Sequence, residues 1–210
     1  MRRAIQSFPK QCPCGMIDKM MSDRRHQNIV SADRYLHYYN KYSRKIEMNR
    51  ENKIALVDID DNIIGFETKE EVHRRGLLHR AFSVFILRDG KMLIQMRNPD
   101  KYHSGGLWSN ACCSHQRDGE ELAESVHRRM TEELGFDCHL EEKFSFVYRT
   151  QFRPDLIEYE YDHVFAGSYD GEVRVNPEEA SQITSFVVNK WATHKGISGS
   201  QTCFACIYMC

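Results

Sequence analysis

No apolar run in this chain of 210 residues approaches the roughly 18 residues needed to cross a bilayer. The N-terminus, Met1-Arg2-Arg3-Ala4-Ile5-Gln6-Ser7, lacks the apolar core of a secretion signal. A cytoplasmic protein with no membrane partner is the expectation. Charge of one sign is also lacking: 29 Lys and Arg against 30 Asp and Glu leave a formal net charge of −1. Nucleic acid is therefore not drawn to the molecule as a whole, and binding must come from a local site. There is no internal repeat, and the length fits one domain with a normal core. Eight cysteines would permit disulfides, but a long chain without a secretion signal favours reduced thiols. Cys12 and Cys14 are too close together and too isolated to form a zinc site alone.

Residues 1–28 mix Arg, Lys, Pro, Gly and Cys without periodicity and read as a disordered extension, with Met21 an alternative start. Ser31 is placed to cap a tyrosine-rich helix over 32–48, whose Tyr35, Leu36, Tyr39 and Tyr42 share a face. From Lys53 the pattern turns to strands, expected at 54–59, 63–67, 80–87, 92–97, 108–113, 144–152, 157–168 and 184–189. Turns are expected at 60–62, 89–90 and 153–155. Strands surrounding one prominent amphipathic helix describe an α/β fold, an α/β/α sandwich with a mixed sheet, and residues 29–210 read as a single domain.

That helix is expected over 119–134. At about 100° per residue, Leu122, Ala123, Val126, Met130 and Leu134 gather into one apolar stripe, and Gly135 is its stop. Glu133 falls on the edge of the stripe with Arg129 one turn before it, a spacing that by itself suits a surface ion pair. Just upstream run Asn110, Ala111, Cys112, Cys113, Ser114 and His115. In a strand Cys113 shares a face with His115, so it is the candidate reactive thiol, and Cys112 on the opposite face is the candidate buried hydrophobe.

Glu120, Arg128, Glu132, Glu133 and Gly135 together resemble the Nudix box. Two positions depart from it: Ser114 stands where the first glycine belongs, and Arg129 where a glutamate follows the arginine. Both point away from an ordinary Nudix hydrolase.

Downstream, residues 156–163 alternate so that Glu158, Glu160 and Asp162 share one strand face. Carboxylates crowded into a cavity repel unless a cation or a shared proton compensates them. Upstream lie His73 and His79. With His115, Glu158 and Glu160 they make a mixed imidazole and carboxylate set suited to Mg²⁺, Mn²⁺ or Zn²⁺.

Residues 77–85, the run Ser109 to His115, the altered box and the Glu-x-Glu strand, in that order, resemble the type I isopentenyl diphosphate isomerases, a Nudix-fold family. The resemblance spans about 53–189. It implies a Nudix-like sandwich with one catalytic helix, and a metal held by His73, His79, His115, Glu158 and Glu160. It implies Cys113 and Glu160 as the proton-transfer pair with Tyr148 assisting, a diphosphate held by Lys69, Arg97, Lys101 and Arg129, and a substrate-associated Mg²⁺ on Glu133. The partner it implies is a small allylic or homoallylic diphosphate, bound by a monomer or weak dimer.

Moving a double bond in such a substrate needs a proton delivered to an unactivated alkene and another removed two atoms away. A strong desolvated acid and an opposed base do this without the substrate turning over. The family continues past Trp191 with a Trp-bearing segment and a terminal helix, whereas residues 196–210 carry no charge, hold Cys203, Cys206 and Cys210, and offer only Phe204 as a cation-stabilising aromatic. Two other readings stand beside the isomerase. One is a Nudix hydrolase of a nucleoside diphosphate derivative; the other is an inactive homologue that keeps the metal site.

Overall fold

The computed structural model describes residues 50, 52–101 and 104–187, all within the unit Ile46–Cys210. The expected extension over 1–28, the helix over 32–48 and the tail with Phe204 lie outside the described residues. In chain order the elements are β1 (Lys53–Val57), β2 (Ile63–Thr68), α1 (Lys69–Arg75), β3 (His79–Arg88), β4 (Lys91–Arg97), β5 (Trp108–Ser109), β6 (Cys112–His115), α2 (Leu122–Leu134), β7 (Leu140–Arg153), β8 (Leu156–Ser168) and β9 (Ala180–Val187).

β3 is the hub of a mixed sheet. Its run Ala81-Phe82-Ser83-Val84-Phe85-Ile86 is buried throughout, as a strand covered on both faces requires. β8 runs parallel to it from His79↔Glu160 to Leu87↔Ser168. On the other edge β6 is antiparallel, from Ala81↔His115 to Val84↔Cys112, with β1 meeting the start of β3 and β4 its end. β7 pairs with β8 through a hairpin closed at Arg153↔Leu156, β2 pairs with β1, and β9 with β4.

The period of β3 sends Phe82, Val84 and Ile86 to the side where α2 packs. There Val126, Met130 and Leu134, each almost fully buried, meet them with Ala111, Cys112 and Phe165. Burying such side chains contributes about 1.5–3 kcal/mol each before the entropy of ordering them. The opposite parity of β3 and β8 carries Phe85 and Val164, which pack with Met92, Ile94, Trp108 and Phe146.

Three local expectations are revised. First, residues 108–113 are not one strand. The chain leaves β4 after Ser109 and joins β3 at Cys112, because the Asn110 amide donates to Val84 O at 3.3 Å and Cys112 O at 2.9 Å in place of ladder bonds. Second, α1 has no counterpart in the strand pattern. Thr68 Oγ1 accepts from Glu71 N, and Gly76 closes the helix at φ 62°. Third, α2 begins at Leu122 rather than 119, with Gly119 at φ 85° and the Glu124 side chain accepting from Glu121 N at 3.1 Å.

Two glycines are fixed by close approach as well as by positive φ. A Cβ on Gly135 would lie 2.7 Å from Arg174 O, where the β8–β9 loop crosses the end of α2. One on Gly76 would lie 2.8 Å from Ile157 Cγ2. Gly76→Ala is therefore expected to destabilise the fold by about 1–3 kcal/mol, through left-handed strain and overpacking. A denaturant titration with an unchanged midpoint would contradict it.

Candidate active site

Helix α1 presents His73, the first residue of β3 is His79, the last of β6 is His115, and β8 supplies Glu158 and Glu160 from one face. Register brings them together: Glu160 lies beside His79 across the parallel pair, and His115 beside Ala81 on the other edge of β3. The ring centroids are 5.0 Å apart for His73 and His79, 5.4 Å for His73 and His115, and 5.0 Å for His79 and His115. One donor atom from each of the five residues lies within 4.8 Å of all the others, and all five residues are buried.

Ring orientation is set from behind. His73 Nδ1 faces Lys69 O at 2.5 Å and His79 Nδ1 faces Leu77 O at 2.8 Å; each carbonyl accepts the Nδ1 proton and turns Nε2 inward. His73 Nε2 is 2.9 Å from Glu158 Oε2, and His79 and His115 Nε2 are 3.6 and 3.1 Å from Glu160 Oε1. Yet the Nε2 atoms of His73 and His79 are buried without an aligned hydrogen bond. Buried ring nitrogens without a partner are costly unless something fills the space they face. This donor set can hold a divalent metal ion.

Tyr148 stands opposite Glu160 across the β7–β8 pair, and its Oη donates to Glu160 Oε2 at 2.6 Å. Burial, then the Glu160 charge, pushes the phenol well above its ordinary range. Burial alone would raise Glu160, but His115 and His79 outweigh it and hold the carboxyl well below the usual range. Burial, reinforced by the Lys69 charge, pushes the His115 imidazole well below its ordinary range. Asp162 shares the face of Glu158 and Glu160 but does not join the donor set: Ser83 Oγ donates to its Oδ2 at 2.8 Å, and burial with the nearby Glu160 charge pushes it well up.

Cys113 is half-buried on the His115 side of β6, across from Ser83, with Sγ 3.6 Å from Ser109 Oγ. Cys112 is fully buried under α2, where burial and then Glu133 push its thiol well up. The basic residues gather at the adjoining edge. Burial lowers the Lys69 ammonium, the like charges of Arg97 and Arg129 lower it further, and the carboxylates of Glu158 and Glu160 oppose the shift, so all five groups are within Coulombic reach. Lys101 Nζ donates to Glu179 Oε2 at 2.6 Å, and Arg129 Nη2 is 3.3 Å from the same oxygen. Arg129 also donates to Glu132 Oε2 at 2.8 Å and to Glu133, whose other oxygen accepts from Gln95 Nε2 at 2.9 Å.

The NUDIX domain family model matches residues 77–199. A relative from Aromatoleum aromaticum named Isopentenyl-diphosphate Delta-isomerase 2 is 53% identical over 131 residues, 62% of this chain and 69% of the relative. An Isopentenyl-diphosphate Delta-isomerase from Serratia proteamaculans is 49% identical over 128 residues, 60% of this chain and 72% of its own. The chain belongs to the isopentenyl-diphosphate Delta-isomerases of the Nudix family. The crystal structure of DR0079 from Deinococcus radiodurans shares the Nudix-like α/β/α fold at a TM-score of 0.57 and 19% identity, covering 75% of this chain and 97% of that one.

In this isomerase-family chain the box serves two purposes. Glu120 and Arg128 form a strut: Arg128 Nε and Nη2 donate to Glu120 at 2.7 and 3.0 Å, and Ser125 Oγ adds a bond at 2.5 Å. Arg129, where the box has a carboxylate, turns toward Glu133 and the other cations. Sequence reasoning missed Gln95, Ser109 and Glu179 at this site. Gln95 left a signal, a lone amide in the apolar run Met92-Leu93-Ile94-Gln95-Met96; Glu179 left none, since its contacts come from loop geometry.

Proposed function

We propose that this chain interconverts isopentenyl and dimethylallyl diphosphate, with Cys113 and Glu160 as the proton-transfer pair. The carrying observation is Glu160, a single carboxylate within reach of two imidazoles and the Tyr148 hydroxyl. The family membership supports the same reading.

In this reading His73, His79, His115, Glu158 and Glu160 would hold one divalent ion, Mg²⁺, Mn²⁺ or Zn²⁺, and Glu133, whose oxygens now accept from Arg129 and Gln95, would exchange one of these contacts for a Mg²⁺ that accompanies the substrate. A bound cation supplies charge that tunes the acidity of its carboxylate ligand. Lys69, Arg97, Lys101 and Arg129 bind and orient the diphosphate through charge-assisted hydrogen bonds. Cys113 and Glu160 then act on opposite faces of the five-carbon chain. One adds a proton to the terminal alkene carbon, the other removes one two atoms away, and Tyr148 passes or steadies the proton at Glu160 Oε2. The two transfers balance, so no redox partner is needed.

A Nudix hydrolase would need a carboxylate where Arg129 stands. The reading also keeps 29–210 as one domain preceded by an extension, a cytoplasmic location and a monomer or weak dimer. It gives the protein no nucleic-acid or membrane partner. Among the described residues no helix is long and apolar enough to cross a membrane. The test is proton NMR of the purified protein with Mg²⁺ and isopentenyl diphosphate. Dimethylallyl diphosphate is expected; phosphate release would favour a hydrolase, and an unchanged substrate an inactive homologue.

A further inference from the structure

Glu179 has no part in the chemistry above, yet it sits among the cations assigned to the diphosphate. Its Oε2 accepts from Lys101 Nζ at 2.6 Å and lies 3.3 Å from Arg129 Nη2. The backbone that carries it is pinned. Glu179 N donates to Asn176 O at 3.0 Å, Asn98 N donates to Glu179 O at 2.9 Å, and Asn176 N donates to Glu133 O at 2.8 Å. Asn98 Nδ2 adds a bond to Pro177 O at 2.7 Å. The loop is thus stitched to β4 on one side and α2 on the other, which delivers this carboxylate to both cations.

We propose that Glu179 is a resident anion that occupies the Lys101 and Arg129 part of the diphosphate subsite in the absence of substrate and is displaced when a diphosphate binds. The proposal rests on the isomerase reading, which places the diphosphate at these residues. Displacement needs only a side-chain rotation, because the backbone is fixed and the Glu179 side chain is 21% exposed, with water to turn into. Burial would raise the Glu179 carboxyl, but Lys101 and Arg129 outweigh it and hold it below the ordinary range, so the anion is charged at neutral pH. An incoming ligand must then offer more than the carboxylate does. A diphosphate does so by its greater charge and by reaching Arg97 and Lys69 as well, whereas a weaker anion gains little by exchanging with Glu179. The carboxylate therefore acts as a threshold on what binds.

The experiment is calorimetric titration of the protein with inorganic pyrophosphate, with and without Mg²⁺. Glu179→Gln keeps the side-chain volume and removes the charge, so Mg²⁺-free pyrophosphate should bind on the order of tenfold tighter than to the wild type. Glu178→Gln, which makes the same charge change on an exposed neighbour, should move the affinity by less than about twofold. Binding by Glu179→Gln that is unchanged or weaker, or an equal gain in Glu178→Gln, would overturn the resident-anion proposal while leaving the diphosphate site standing. If neither wild type nor Glu179→Gln binds pyrophosphate with or without Mg²⁺, the assignment of the diphosphate to these cations falls, and this proposal with it.

Discussion

Cys113→Ala is expected to lower isomerisation by roughly 10²- to 10⁴-fold, the usual contribution of a positioned acid or base, with the fold retained. Cys112→Ala should keep most of the activity and instead cost about 1 kcal/mol of stability. The two residues are neighbours in sequence and separated by the sheet. Cys113 faces the side of His115 and Ser83, whereas Cys112 is wholly buried against Val126 and Met130 of α2. The buried thiol is also pushed well up, which leaves it inert as a proton carrier at neutral pH. Turnover and denaturation midpoints for both variants decide the matter. Comparable loss of turnover in both would show that strand parity does not select the reactive thiol.

Glu158→Gln and His79→Ala should each lower metal affinity by at least about 10- to 100-fold and turnover along with it. Each removes a direct donor, and losing even a supporting partner of a ligand costs that much. Glu158→Gln is the cleaner of the two because it preserves volume, whereas His79 is fully buried and its truncation also leaves a cavity. Elemental analysis after dialysis reads metal content directly. Full occupancy in both variants would contradict the five-donor site, whatever happens to activity.

Much of this site was legible because strand alternation is a strong signal. Period two put Glu158 with Glu160 and Cys113 with His115, and the sheet then brought both pairs to β3. Asp162 shows the limit of that signal. It has the correct parity and is buried with the others, but a serine on the adjacent strand decides that it is hydrogen-bonded rather than part of the donor set. Helix α1 was hidden for a different reason: it spans only Lys69–Arg75, too short for an apolar period to show, and its cues are the cap Thr68 and the stop Gly76. The break between β5 and β6 depends on Asn110 reaching two backbone carbonyls, a tertiary choice that a run of apparent strand residues cannot announce. Arg129 could be recognised as a departure from the box, but its meeting with Lys101 through Glu179 depends on the path of the β8–β9 loop.

Paired groups on this chain are expected to add one proton and remove another without cleaving the diphosphate. The most direct measurement is the same NMR reaction run in D₂O with Mg²⁺ and isopentenyl diphosphate. Because thiol, phenol and carboxyl protons exchange with solvent, the expected product is dimethylallyl diphosphate carrying deuterium in the methyl group formed from the terminal alkene carbon, with the diphosphate intact. Substrate recovered without deuterium, or phosphate released from it, would show that no such pair of groups isomerises it.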